Sequence, residues 1–183
     1  MTLNFLLSCI FFYLPGAVAN MGTIFGKHVP FFKNFKQPID NGYKLNNIRL
    51  IGEHKQYCGF LFGVFSGVIF GIFKTVFLDL VFFDFLIIKT NIIQGILLYS
   101  IISLGAVCGD LIKSVIKRQL KIVSHKAWIP FDEIDHSTTS LLLAKIFFPI
   151  PWNVILTIII IYFFLHVLAN VVGYKMKIRK VPY

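Results

Sequence analysis

The sequence predicts an all-α integral membrane protein with about five transmembrane helices, whose two basic cytoplasmic loops carry the candidate site. Three observations predict it. Hydrophobic residues make up 57% of the 183 residues and charged residues only 14%, with 21 Phe, and the mean hydropathy is +0.78. Soluble domains carry ~45–50% apolar and ~25% charged residues. A chain this short has too little interior to hide so much apolar surface from water. Soluble, disordered and fibrous classes are therefore excluded, and the fitting solvent is a bilayer. Apolar runs of spanning length recur along the chain, and the cations gather in alternate loops between them. The length fits one domain over residues 1–183.

A spanning helix needs ~20 mostly apolar residues. The first segment is 3–19, with Pro15 and Gly16 near its end. Ala17-Val18-Ala19 resembles a cleavage site, but no Lys or Arg precedes the apolar run, so the segment is expected to remain as a span. The second is 56–73, where Gly59, Gly63, Gly67 and Gly71 recur every four residues and leave a smooth stripe for close helix approach. The third is 91–112. The fourth, 137–150, is short, carries Lys145 and ends at the Pro149–Pro151 turn. The fifth, 153–173, is the most apolar. Residues 75–88 are apolar but hold Asp79 and Asp84, which predicts an interfacial or re-entrant segment.

Charge placement tests this count. There are 18 Lys+Arg against 8 Asp+Glu, a net charge of +10. Six cations lie in loop 20–55, five in loop 113–136 and four (Lys175, Lys177, Arg179, Lys180) after residue 173. Five spans place these fifteen on one side. The positive-inside rule makes that side cytoplasmic, with the N-terminus outside and the C-terminus inside the cell membrane. Such cations meet lipid headgroups or bind phosphates. Their confinement to short loops between apolar segments speaks against nucleic acid. Cys9, Cys58 and Cys108 lie far apart in or beside apolar runs, form no CxxC pair, and are expected to be membrane-core residues. The five histidines show no metal-ligand spacing, and His166 is expected to pack within the fifth span.

With so few acids, their positions inform. Six of the eight lie in or beside the two cytoplasmic loops, and four of these fall in GDLIKSVIKRQLKIVSHKAWIPFDEID. If the third helix continues past the membrane, Asp110, Ser114, Lys117, Arg118 and Lys121 share one face. Asp132 and Asp135 are three apart and share a helical turn, with Trp128 and Pro130 setting the turn at the membrane surface. The cations alone suit a solvated juxtamembrane helix, and an Asp suits an N-cap. Ionisable groups at the end of a span are costly and point to function. Three carboxylates beside a cationic column match what a divalent metal and phosphates need together. His136, next to Asp135, is a weaker candidate for touching that site, and its plainer reading is a residue outside it. The first loop is weaker: Pro38 and Gly42 bracket Asp40, and Gly52, Lys55 and Gly59 lead into the second span without the spacing of a P-loop.

GDLIKSVIKRQL followed by PFDEID resembles the signature of the CDP-archaeol synthase family, membrane cytidylyltransferases of archaeal lipid synthesis. Gln37 to Gly42 resembles that family's P-I-D-x-G, and Ile51 to Phe60 its L-G-x-x-K-T-x-x-G-F. Leu14-Pro15 through Asn20 resembles the end of its first span. Gln56, Gln119, Glu133 and His136 depart from the pattern. The resemblance implies transfer of CMP from CTP to a membrane lipid phosphate with release of pyrophosphate. It implies Asp110, Asp132 and Asp135 as ligands of one or two Mg²⁺ ions. Lys55, Lys117 and Arg118 would act on phosphates, with Asn20, Asp40 and Ser114 in substrate binding. The implied partners are CTP, the lipid phosphate and the bilayer, and a homodimer is compatible. Diacyl phosphatidic acid is the nearest alternative substrate. A small transporter fits less well because the spans nearly lack acids, and a non-catalytic membrane protein because all three aspartates remain.

Overall fold

The computed structural model describes residues 2–123 and 126–176. The tail cations Lys177, Arg179 and Lys180, and His125, lie outside the described residues. The chain runs through α1 (Leu3–Phe25), a hairpin of β1 (Lys44–Leu45) and β2 (Ile48–Arg49), α2 (Tyr57–Phe73), the short α3 (Asp79–Val81), α4 (Ile92–Gln119), α5 (Phe131–Phe147) and α6 (Trp152–Lys175). Among the described residues, four segments are long and apolar enough to cross a membrane: Leu3–His28, Tyr57–Val81, Ile92–Gln119 and Trp152–Lys175. α5 has 17 residues. At about 1.5 Å per residue it is ~26 Å long, just under the ~30 Å hydrocarbon core. All five predicted segments are helices, with several ends moved.

Apolar residues line the outside as well as the core. Leu97, Ile93, Ile160, Phe164 and Leu168 are exposed, as lipid-facing side chains of a multi-pass protein must be. The core is small and lies where α1, α4, α5 and α6 meet, around Tyr13, Leu98, Ile102, Leu141, Ile155 and Ile158. Two tyrosines tie α1 into it: the Tyr13 hydroxyl accepts from Ser140 Oγ at 3.2 Å, and Tyr162 donates to the Ile10 carbonyl at 2.9 Å.

The glycine stripe of α2 meets α1 and α4. A Cβ at Gly63 would stand 2.8 Å from the Ala19 carbonyl, and one at Gly67 would stand 2.6 Å from Ser103 Oγ. Only bare backbone permits that approach.

The segment 75–88 corrects its prediction in part. The second span does not stop at Phe73 but passes through a π-helical turn, Lys74–Leu78, into α3. In a regular helix, residues five apart point to different sides. The wider turn brings Asp79 back beside Lys74, with Lys74 Nζ 2.5 Å from Asp79 Oδ1 and 2.6 Å from the Tyr99 hydroxyl. Lys74 is 0% exposed and also lies 3.9 Å from the Phe11 ring. Mutual neutralisation lets both charges sit in a span. Beyond Val81, the chain follows a 3₁₀ turn over residues 83–85 that carries the exposed Asp84, then reaches α4.

α4 starts on a capping box. Asn91 Oδ1 accepts from Gln94 N at 2.8 Å, and Gln94 Oε1 accepts from Asn91 N at 3.2 Å. It runs unbroken for 28 residues, beyond the predicted end at 112. It ends with Lys121 in the left-handed region at φ 58, where Lys121 N donates to Arg118 O and Ile122 N to Lys117 O. This is a Schellman-type stop. Lys121 therefore leaves the predicted column on the helix face.

Candidate functional site

The site lies at one end of the bundle, where the loop before α2, the last third of α4 and the first turn of α5 meet. The loop is organised by one carboxylate. Asp40 accepts from the backbone N–H groups of Gly42 (3.1 Å), Ile51 (3.0 Å) and Gly52 (2.9 Å) and from Arg49 Nη2 (3.1 Å). Around it, Asn41, Asn46, Asn47, Gly42 and Gly52 have positive φ. Asn46 and Asn47 form the two-residue turn between β1 and β2, a conformation Asn tolerates. Ile39 N then donates to the Lys55 carbonyl at 2.9 Å. Asp40 thus sets the course of the loop segment that delivers Lys55 and does not itself reach the aspartate cluster.

Burial raises the Asp40 carboxyl, but the Arg49 bond and the three backbone donors outweigh it, holding the group well below the usual carboxylate range. A carboxylate depressed in the folded state stabilises it fully above its unfolded value of ~3.9, and loses that effect as pH falls through the folded value. Asp40→Asn is therefore expected to lower stability by about 1–3 kcal/mol at neutral pH. In thermal unfolding in detergent, the gap to the unmodified protein should hold from pH 7 down to about pH 5 and shrink below about pH 4.

α4 and α5 bring the other acids together. Gly109 packs on the first turns of α5: a Cβ there would stand 2.5 Å from the Asp135 carbonyl. Glycine before Asp110 therefore places Asp110 beside Asp135. α5 begins at Phe131, six residues before the predicted span, so Asp132 and Asp135 are helical. The N-cap is Pro130 and no side chain caps it, contrary to the N-cap reading of an Asp. Asp132 Oδ2 instead accepts from the backbone N of Trp128 at 2.7 Å, and the Trp128 and Phe131 rings stack at 4.4 Å. Gly109→Ala is expected to push α5 away from α4. Any activity at the cluster should fall about 10²-fold, a cost that misplacement of about 1 Å imposes, with little loss of folded protein by size-exclusion chromatography.

Asp110, Asp132 and Asp135 converge on Lys113, a residue the predicted column omits. Its Nζ lies 3.1 Å from Asp110 Oδ1, 3.3 Å from Asp132 Oδ1 and 2.9 Å from Asp135 Oδ2. Helical spacing alone carries the signal, because Lys113 is three residues after Asp110 and four before Lys117. Lys55 Nζ ion-pairs with Asp110 Oδ2. Lys117 Nζ lies 2.9 Å from Asp132 Oδ2 and 2.7 Å from the Lys126 carbonyl. His136 Nδ1 is 3.3 Å from Asp135 Oδ1, and its ring lies 5.4 Å from that of His166.

The remaining predicted residues are placed differently. Ser114 Oγ donates to the Asp110 carbonyl at 2.7 Å, within α4. Arg118 makes none of the cluster's ion pairs, and its buried Nε has no hydrogen-bond partner among the described residues. Asn20 lies inside α1, which continues past residue 19 to Phe25, and its carbonyl accepts from Thr23 Oγ1 at 2.8 Å. A cavity of about 220 Å³ opens beside the Lys55–Asp110 pair, lined among others by Thr23, Lys27, His54 and Phe60.

Among the described residues, no group of three acidic, His or Cys side chains stands close enough to share a metal ion as placed. The three aspartates instead surround an ammonium at about 3 Å. Their donor chemistry, hard carboxylate oxygens gathered round one cation, fits Mg²⁺.

Known proteins resemble this chain along nearly its whole length. The model of the CarS-like family, CDP-archaeol synthase, matches residues 2–183. A CDP-archaeol synthase of Methanocaldococcus jannaschii is 31% identical over 179 residues, covering 96% of each chain. One of Sulfurisphaera tokodaii is 31% identical over 185 residues, covering 98% of this chain and 97% of the relative. One of Methanococcus maripaludis is 32% identical over 178 residues, covering 96% of each. The fold matches a solved structure described as an intramembrane enzyme for archaeal membrane lipids biosynthesis, with a TM-score of 0.71 and 23% identity over 90% of this chain and 94% of that one. Matched from its second residue to its last, the chain belongs to the CDP-archaeol synthase family.

Proposed function

We propose that the protein transfers CMP from CTP to 2,3-di-O-geranylgeranylglyceryl phosphate, giving CDP-archaeol and pyrophosphate at the cytoplasmic face of the cell membrane. The observation that carries this reading is the convergence of three aspartates and three lysines at the end of two apolar helices, in a member of this family. An oxygen of the lipid phosphate attacks the α-phosphorus of CTP. A new P–O bond forms, the bond between the α-phosphorus and its bridging oxygen breaks, and pyrophosphate leaves with the electron pair.

The protein's own part is positioning and charge neutralisation. Asp110, Asp132 and Asp135 would hold Mg²⁺, one ion or two. When bound, the metal neutralises phosphate charge that builds up during transfer. Lys117 and Arg118 hold the triphosphate from α4, and Lys55 holds a second phosphate from the loop. Arg118 is suited to this because its guanidinium is not tied to the acids. Ser114 supports the segment that carries Asp110, and Asp40 holds the loop that carries Lys55. Asn20 orients the nucleotide from α1. Lipid chains lie along the apolar helix faces, so the phosphate meets the cluster without leaving the bilayer. The cationic loops draw both anionic substrates to that side. The same charges set the N-terminus outside and the C-terminus inside.

The test is direct. Purified protein in detergent receives labelled CTP, Mg²⁺ and either the isoprenoid ether phosphate or diacyl phosphatidic acid. The expected product is CDP-archaeol. Formation of CDP-diacylglycerol alone moves the assignment to acyl lipids, and no product with either lipid overturns it.

A further inference from the structure

One cation of the cluster has no part in the proposed chemistry. Lys113 sits at the centre of the three carboxylates, and its side chain is only 15% exposed. Lys55 pairs with Asp110 alone, and Lys117 bonds Asp132 alone among the acids. Lys113 touches all three. A divalent ion drawn to the same aspartates would compete with that ammonium for their oxygens.

We propose that Lys113 is a resident counter-ion. It holds Asp110, Asp132 and Asp135 together in the metal-free protein, yields its place when a divalent ion loads, and turns its ammonium to the substrate phosphates. The inference rests on the reading of these aspartates as the metal ligands.

Charge makes the role necessary. The three aspartates with Lys55, Lys113 and Lys117 form a set of three negative and three positive groups. Without Lys113, three carboxylates mostly withdrawn from water would face one another and repel. With it, they keep their geometry before any ligand arrives. The side chain suits the movement: an ammonium on a flexible four-carbon stem leaves without shifting the helix beneath it. The destination matters too. An ammonium leaving three carboxylates for water loses its partners, whereas one leaving for a triphosphate exchanges them. Nucleotide and metal should therefore favour each other's binding.

Mn²⁺ binding to the full protein in detergent, followed by the electron paramagnetic resonance of the free ion, tests this with and without CTP. In Lys113→Met, nucleotide-free Mn²⁺ binding should tighten about 10-fold or more, and the gain from CTP should shrink. Lys113→Arg serves if the Met variant does not fold. Its fork grips carboxylates more firmly and should weaken nucleotide-free Mn²⁺ binding several-fold. Unchanged or weaker binding in folded Lys113→Met overturns the proposal, as does unchanged or tighter binding in Lys113→Arg where that variant decides. Asp132→Asn separates the layers. If it leaves Mn²⁺ binding intact, the aspartates are not the ligands and the underlying reading fails as well. If it abolishes binding while Lys113→Met has no effect, only the counter-ion role falls.

Discussion

Asp132→Asn is expected to lower CDP-lipid formation on the order of 10²–10³-fold while the protein remains folded. The substitution is nearly isosteric and removes one negative charge. An Asn oxygen still accepts from the Trp128 N–H, now bonded to Oδ2 at 2.7 Å, so the start of α5 is kept. What disappears is the second carboxylate oxygen, which faces Lys113 at 3.3 Å and Lys117 at 3.1 Å. The site gains a net positive charge and loses one hard donor. On the proposed reading a metal and a triphosphate lose part of their anchorage, and the cost falls on the reaction rather than on the bundle. Product formation from labelled CTP and the melting midpoint in detergent, measured on the same preparation, check both halves. Equal losses of activity and folded protein would make Asp132 a structural residue.

The second large effect lies far from the site. Lys74→Met is expected to destabilise the protein by about 3–5 kcal/mol, because it leaves the Asp79 carboxyl without its lysine partner inside a span. For a chain of this size that is a drop of roughly 10 °C in the melting midpoint. The pair is enclosed: Lys74 is 0% and Asp79 9% exposed, and the Tyr99 hydroxyl completes the contact at 2.6 Å. Removing both charges is a different experiment. Lys74→Met with Asp79→Leu should recover most of the loss, since replacing a buried ion pair by apolar groups is often neutral. A double variant no better than Lys74→Met alone would show that the π-helical turn needs the charges for its shape.

The two regions differ in how well the sequence exposes them. Spanning helices are legible because a bilayer demands long apolar runs, and α6 and α4 leave no other reading for theirs. The grouping of Asp110, Asp132, Asp135, Lys55 and Lys117 is legible through their motifs and through the scarcity of acids elsewhere. Lys113 is hidden by a choice of face: the column drawn through Ser114 and Arg118 passes it by, although three-residue spacing from Asp110 places it there. The Lys74–Asp79 pair is hidden for a stronger reason. Its partners are five apart, a spacing with no meaning in an α-helix, and only the wider turn joins them. Asp40 is visible as a turn residue. That it binds three backbone N–H groups and a guanidinium depends on a hairpin too short to announce itself.

The length of α4 carries a last consequence. Its 28 residues, at about 1.5 Å each, extend ~42 Å, against a hydrocarbon slab of ~30 Å. Asp110 is the nineteenth residue of that helix, which sets its Cα ~27 Å from the start. With the start of α4 at one edge of such a slab, Asp110 comes close to the other edge, next to the headgroup layer. Under the proposed reaction, encounter with the lipid is then a search in two dimensions. Its frequency follows the mole fraction of lipid phosphate within the leaflet, and inert lipid slows it by surface dilution even when the bulk amount of substrate is unchanged. In that reaction the nucleotide alone would arrive from three dimensions.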